Sequence, residues 1–350
     1  MSEVAPSEAV PKAGARFRLS PDHGLCRICG ASEAQRPVGP ESYAGSGQQL
    51  RRCGRCAAVY LAPDFEPAAF EVFYAEQYRR LFPSETIWLS ETRFFAWRGD
   101  RTFARRRLAR IAPRLSAGTR LFEVGSGFGA FLQAAAEAGF TRLQASEPDI
   151  AHRTRLLDGI DVTFYERLSA LPRESVDVVV AFHVLEHLPD PMAFMAELLA
   201  ALKPGGHAFI EVPDLMNGPL SADHVHSAHL SYFTRKTLAR LALAAGLRVL
   251  FCGSHPDGGP LAGNLWLELE RPVSPPEPQP MAAAQAAEIA EVDARLGLVD
   301  WEGALRPSWR RRAKAAALRV LGPGVVGEWQ RWRQWRRLRR SSWIANHDVP

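Results

Sequence analysis

No stretch of this 350-residue chain approaches the about 18 consecutive apolar residues that a membrane-spanning helix needs, so no such helix is expected. The opening MSEVAPSEAVPKAGARF lacks the apolar core of a secretory signal. Residues 1–22 are therefore expected to form a disordered tail, and the protein to be cytoplasmic. Internal repeats are missing as well. Acids are nearly absent from one end: Arg306 to Arg340 holds twelve Arg or Lys against the single acid Glu328. The whole chain carries a formal +5, so that segment holds +11 and the remainder −6, and the basic character is local. What is present is an ordinary apolar share of 47%, enough for a real core, over a length that suits roughly two domains.

The texture changes after Gly118 to alternating elements. RLFEV reads as a strand, GAFLQAAAEAGF as a helix ended by Gly139, and RLQASE as the next strand. VDVVVAF is an unbroken apolar run, as in a strand buried on both faces. PMAFMAELLAALKPGG reads as a helix stopped by Pro204 and the glycine pair, followed by the strand HAFIEVP and the helix RKTLARLALAAGL. RVLFC and NLWLELE close the series. This alternation argues a parallel α/β sheet covered by helices on both faces. Helix-like spacing also runs from Pro67 to Pro113. RPVSPPEPQP, 271–280, reads as a stiff linker before a helix over Met281 to Leu296 and two basic helical stretches.

LFEVGSGFGAF places Gly125, Gly127 and Gly129 directly after the first strand of the series. Such a loop lets backbone amides approach a ligand at the carboxyl end of the sheet. Read as Gly125-x-Gly127-x-x-Ala130, it loosely fits a dinucleotide fingerprint. Glu123 argues otherwise, because an acid ahead of the loop repels a pyrophosphate and welcomes an ammonium. Glu147 ends the next strand, where a carboxylate can take both hydroxyls of a ribose.

EVGSGFGAF, ASEPD, VDVVVAFHVLEHLPDP and LKPGGHAFIEVP, in that order, resemble the class I S-adenosylmethionine-dependent methyltransferases over about 119–270. The resemblance implies a Rossmann-like seven-stranded sheet, with Glu123, Gly125, Gly127 and Gly129 at the methionine end of the cofactor and Glu147 at its ribose. Glu166, in FYERLSALP, is the nearest candidate for the adenine contact.

Cys26, Cys29, Cys53 and Cys56 form two Cys-x-x-Cys pairs separated by 23 residues, the spacing of a four-cysteine zinc ribbon. Four thiolates leave no position for water, so the expected Zn2+ is structural. Disulfides are the competing reading, disfavoured in a cytoplasmic chain. Cys252, alone in an apolar strand, reads as a small core residue. The cysteine module followed by AAVYLAPDFEPAAFEVFYAEQY is similar to the N-terminal part of bacterial sugar C-methyltransferases acting on nucleotide-linked deoxysugars. That similarity makes Tyr74 and Tyr78 candidate lid contacts.

AFHVLEHLPDP carries His183, Glu186 and His187 at a strand end, and ADHVHSAHLSYFT carries Asp223, His224, His226, His229 and Tyr232. His183, His226, His229 and Tyr232 are the candidates to line the acceptor side, where an imidazole could serve as base. In the sugar C-methyltransferases the second segment has a tyrosine and His-Glu-His before an aromatic and Ser-Tyr-Phe. This chain retains His229 and SYF, with His226, Ser227 and Ala228 at the other places. Where those enzymes carry a second α/β domain after the linker, about 70 residues follow here, expected to form basic helices.

In EWQRWRQWRRLRR, Trp329, Trp332, Trp335 and Leu338 form one helix face flanked by arginines. That face suits packing on the catalytic domain, an anionic membrane surface, or a nucleic acid. The expected organisation is a tail (1–22), a zinc-binding ribbon (23–62), a helical lid or connector (63–115), a methyltransferase domain (116–270), a linker (271–280) and a basic helical extension (281–350). The expected activity is methyl transfer from S-adenosylmethionine to a small molecule, a nucleotide-linked sugar or a polysaccharide or secondary-metabolite precursor. A zinc-ribbon RNA methyltransferase and a non-catalytic binding module are the alternatives.

Overall fold

The computed structural model describes residues 18–41, 46–72, 100–148, 157–218, 220, 224–258 and 261–301. Tyr74, Tyr78, Asp223 and the tryptophan-rich segment lie outside the described residues.

The N-terminal module is an antiparallel meander of β1 (Gln35–Pro40), β2 (Gln49–Cys53) and β3 (Val59–Ala62). Helices α1 (Pro67–Val72) and α2 (Asp100–Ile111) follow. The main sheet contains β4 (Arg120–Val124), β5 (Arg142–Ser146), β6 (Val162–Tyr165), β7 (Val176–Phe182), β8 (Leu202–Pro213), β10 (Arg248–Ser254) and β11 (Asn264–Glu270). Its order is β10-β11-β8-β7-β4-β5-β6. Helices α3 (Ala130–Glu137), α4 (Pro191–Ala201), α5 (Arg235–Ala244) and α6 (Ala286–Gly297) complete the described elements. The two-residue β9 (Ser231–Tyr232) joins the N-terminal sheet, not the main one.

The sheet is mixed, which corrects the expectation of a parallel one: β11 runs antiparallel to both β8 and β10. Direction depends on how the chain returns, and the apolar pattern of NLWLELE is the same either way. Helix α4 ends at Ala201, before Pro204, because Leu202 already pairs with Val176 as the start of β8. Its N-terminus is set locally: the Asp190 side chain accepts from Ala193 N at 2.9 Å, with Pro191 at the first turn. Helix α6 starts at Ala286, five residues later than the apolar pattern suggests. Met281 is buried in the core and Ala284 N donates to Arg55 O at 2.7 Å, which holds the intervening chain extended.

One core layer lies between α2, α3 and the sheet, with Ala104, Leu108 and Ile111 at helical spacing against Leu121, Phe131 and Val180. The opposite layer joins α4 and α5 to Phe122, Val179 and Ile210, and continues without a break into Cys26, Cys53 and Cys56. Helix α6 then folds back onto the N-terminal module. Arg52 makes two bonds to Asp293 (2.9 and 2.8 Å), and Arg240 makes two to Glu288 (2.8 and 2.6 Å).

Strand order reverses between β4 and β7, since β5 and β6 extend to one side and β8 to the other. The carboxyl ends of these two strands therefore frame a crevice, where open α/β sheets take their ligands.

Candidate functional site

The glycine loop follows β4 at that reversal, and each glycine has positive φ: +67° at Gly125, +54° at Gly127 and +86° at Gly129. Their surroundings differ. A Cβ at Gly125 would lie 2.7 Å from Val184 Cγ2, and one at Gly129 would lie 2.7 Å from Leu157 Cγ. A Cβ at Gly127 would meet no atom within 4 Å. Two of the three glycines are thus demanded by protein packing, and Gly127 alone leaves bare main chain facing open space. The loop amides are also engaged within the protein. Gly125 N and Ser126 N donate to Ser146 O at 2.8 and 3.1 Å, Gly129 N to Ser126 O at 2.9 Å, and Gly127 N to Glu147 Oε2 at 2.8 Å. The loop contributes room more than hydrogen-bond donors, unlike the sequence expectation of amides aimed at a ligand.

Beneath it lie polar atoms without partners among the described residues. Glu123 is 5% exposed and its Oε2 is unpartnered, as is the Ser126 hydroxyl. Burial raises the Glu123 carboxyl well above its ordinary range; Arg107 opposes this and Glu147 adds to it. A buried carboxylate without a partner is costly, so the residue suits a cationic ligand group. Glu147, 7% exposed at the end of β5, completes the pair of acids flanking the loop. Glu166 stands apart after β6, its side chain 75% exposed and paired with Arg167.

Across the crevice, β7 is followed by His183, which adopts φ +57°, a strained conformation for a non-glycine residue. Its backbone N donates to Glu211 O at 2.8 Å, and its Nδ1 and Nε2 lie 3.2 Å from Glu186 Oε1 and Glu211 Oε1. Burial by itself would lower its pKa, but the two carboxylates outweigh this and raise it to about 9. His183 is held between two acids. Glu211, fully buried, also receives Arg107 Nε at 2.7 Å and Asn264 Nδ2 at 2.5 Å. Burial opposes its ionisation, yet His183 and Arg107 bring its carboxyl below the usual range. The sequence reading missed Glu211, Arg107 and Asn264. A lone acid inside the apolar strand HAFIEVP was the available signal.

The other histidines converge on one stack. The His229 ring centroid is 4.8 Å from that of His187, 4.1 Å from His226 and 6.2 Å from Tyr232. Burial, then the neighbouring His187 and His224, bring His226 down to about 3. Burial and the His226 and His187 rings hold His229 well below its normal value. Burial pushes the Tyr232 hydroxyl up. The structure therefore brings His226, His229 and Tyr232 together and places His183 in an ion-pair network that meets this stack at Glu186.

The four cysteines gather as spaced. Cys26–Cys56 and Cys29–Cys53 sulfurs are 3.8 Å apart, and all four lie within 4.8 Å of one another. A disulfide needs about 2.05 Å, whereas a regular tetrahedron with Zn–S bonds of about 2.3 Å has edges of about 3.8 Å. All five cysteines are free thiols, and Cys252, half-buried on β10, bonds Arg235 O at 3.3 Å. Knuckle turns hold the two pairs: Gly30 N donates to Cys26 O at 2.8 Å and Ala57 N to Cys53 O at 3.1 Å. Among the described residues no helix is long and apolar enough to cross a membrane.

Residues 96–250 match the family described as a methyltransferase domain. A ubiquinone biosynthesis O-methyltransferase of Paramagnetospirillum magneticum is 36% identical over 95 residues, 25% of this chain and 38% of that protein. A protein of Mycolicibacterium smegmatis named as a probable S-adenosylmethionine-dependent methyltransferase is 31% identical over 144 residues, 40% of this chain and 56% of its own. The chain thus spans about half the length of such curated relatives or less. Among solved structures, a Burkholderia thailandensis 1,6-didemethyltoxoflavin-N1-methyltransferase with bound S-adenosylhomocysteine aligns with TM-score 0.45 at 20% identity, covering 64% of this chain and 96% of that one. With its seven-stranded mixed sheet and its acid-flanked glycine loop, the central part of the chain is similar to a methyltransferase domain over residues 96–250.

Proposed function

We propose that the chain as a whole transfers a methyl group from S-adenosylmethionine to a small-molecule acceptor, with a structural zinc ion in its N-terminal module. The buried carboxyl of Glu123, whose Oε2 has no partner among the described residues, together with the open face of Gly127, carries this reading. It fits the ammonium of an amino-acid-like cofactor and would repel a pyrophosphate. Bound there, S-adenosylmethionine supplies a methyl carbon activated by its sulfonium. The chain's own residues then bind and position: Glu123 fastens the ammonium, Ser126 offers its hydroxyl, Glu147 takes the ribose hydroxyls, and Glu166 would close the adenine end. Opposite, the neutral imidazoles of His226 and His229, with Tyr232, form the acceptor wall. His183 holds Glu186 and Glu211 in place between the two walls. The thiolates of Cys26, Cys29, Cys53 and Cys56 would close a tetrahedral zinc site. The motif resemblance of the cysteine module favours a nucleotide-linked sugar as acceptor.

Calorimetry with S-adenosylhomocysteine on the intact, zinc-loaded protein tests the reading. Micromolar binding is expected, and no detectable heat or competition by the unlabelled cofactor would end it. Methyl-labelled cofactor with fractionated extract then identifies the acceptor by the label it takes.

A further inference from the structure

A second set of metal-ligating groups lies outside the cysteine knuckles. Glu186 and His187 come from the turn after β7 and His229 from the loop entering β9, and one ligand atom of each lies within 4.8 Å of the others. Three observations favour an ion over simple packing. Glu186 is 1% exposed, yet its Oε2 has no hydrogen-bond partner among the described residues. His183 grips the other oxygen, Oε1, at 3.2 Å, so Oε2 is the atom presented to a ligand. His187 Nδ1 donates to Ala228 O at 2.8 Å, which makes Nε2 the lone-pair nitrogen and turns it toward Glu186, 3.9 Å from Oε1. An outward hydrogen bond of that kind is how metal-ligating imidazoles are oriented. Finally, the backbone locks the two segments together, since Leu230 N donates to Glu186 O at 2.8 Å.

We propose that Glu186, His187 and His229 bind a first-row divalent cation as a two-histidine, one-carboxylate triad. Three protein ligands leave positions open, unlike the closed four-cysteine set. The triad adjoins the cofactor crevice, because Val184 of the same turn fills the space at Gly125. Resting on the methyl-transfer reading above, the ion takes an acceptor through a hydroxyl or enol oxygen and lowers the pKa of that group. The proton leaves to solvent, an oxygen lone pair forms the new O–C bond, and the electrons of the S–C bond return to sulfur. The acceptor class is therefore an oxygen nucleophile.

The test uses Mn2+ on full-length, zinc-loaded protein, read by electron paramagnetic resonance, because a thiolate site disfavours that hard ion. Wild type is expected to bind one equivalent. Glu186→Gln, His187→Ala and His229→Ala should each weaken binding by roughly tenfold or more, with circular dichroism and cysteine-bound zinc unchanged. Should Glu186→Gln fail to fold, the two histidine variants decide. No Mn2+ binding by wild type, or equal binding by the histidine variants, overturns the proposal. S-adenosylhomocysteine calorimetry on the same samples separates the two readings. Cofactor binding without Mn2+ overturns the triad alone, and Mn2+ binding without cofactor overturns the methyltransferase reading alone.

Discussion

Glu123→Gln should weaken cofactor binding and stabilise the empty protein, two effects of opposite sign. Glu123 is 5% exposed, its Oε2 is unpartnered among the described residues, and the nearest compensating charge, Arg107, is committed to Glu211 at 2.7 Å. Burial therefore raises its pKa well above the ordinary 4.5. A carboxyl raised on folding costs stability as pH climbs from its unfolded value through its folded one, and the isosteric, neutral glutamine escapes that cost. Binding an ammonium reverses the balance: the proton leaves and a charge-assisted hydrogen bond forms. Such bonds contribute about 1.5–3 kcal/mol, so glutamine should weaken S-adenosylhomocysteine binding by roughly 10- to 150-fold. Wild-type affinity should also rise with pH up to the raised pKa and then level off, with net proton release seen as buffer-dependent heats. The variant should show a higher melting temperature without ligand at neutral pH and no proton release. Affinity within twofold of wild type, or a pH-independent wild type, would refute the assignment of Glu123.

Gly127→Ala meets open space but keeps φ +54°, so it should cost only about 1–2 kcal/mol while lowering cofactor affinity; Gly129→Ala, whose Cβ meets Leu157 at 2.7 Å, should cost more in urea unfolding. Equal costs for the two would show that Leu157 yields. Arg52→Ala should lose about 1.5 kcal/mol, low in the range because Asp293 is 23% exposed, and should not add to Asp293→Asn in a double-mutant cycle. Full additivity would mean that α6 docks by other contacts. Removing the proposed zinc with a chelator should abolish amide protection at Leu61 and Leu230 in hydrogen exchange, because those amides donate to Leu230 O and Glu186 O. Unchanged protection would separate the knuckles from the histidine loop.

The sequence was most informative where chemistry is local. Cysteine spacing anticipates four sulfurs within 4.8 Å, and the acid-flanked glycines anticipate the crevice. It was least informative where partners come from distant elements. The Glu211 network draws Arg107 from α2, His183 from the end of β7 and Asn264 from β11, and no window of sequence holds them together. Likewise SYF carries no strand signal strong enough to reveal β9, which exists because Val59 and Tyr60 offer it an edge. The glycines show the subtler limit. Their spacing is the same whether Cβ space is taken by Val184 and Leu157 or left for a ligand, and only coordinates distinguish Gly127 from its neighbours.

The placement of β9 changes what the cysteine module does. A zinc site is worth about 10–16 kcal/mol in a small peptide, against about 5–15 kcal/mol for the whole stability of a typical domain, so the proposed zinc would make the meander a rigid edge. That edge pairs with Ser231 and Tyr232, and Leu61 N reaches Leu230 O at 3.0 Å. Leu230 in turn donates to Glu186 O, beside His187. The proposed acceptor wall is thus strung between the N-terminal sheet and the turn after β7. A methyl acceptor must be held in line with the sulfonium to react at all, and the proposed wall, tied to both sheets, would favour that alignment.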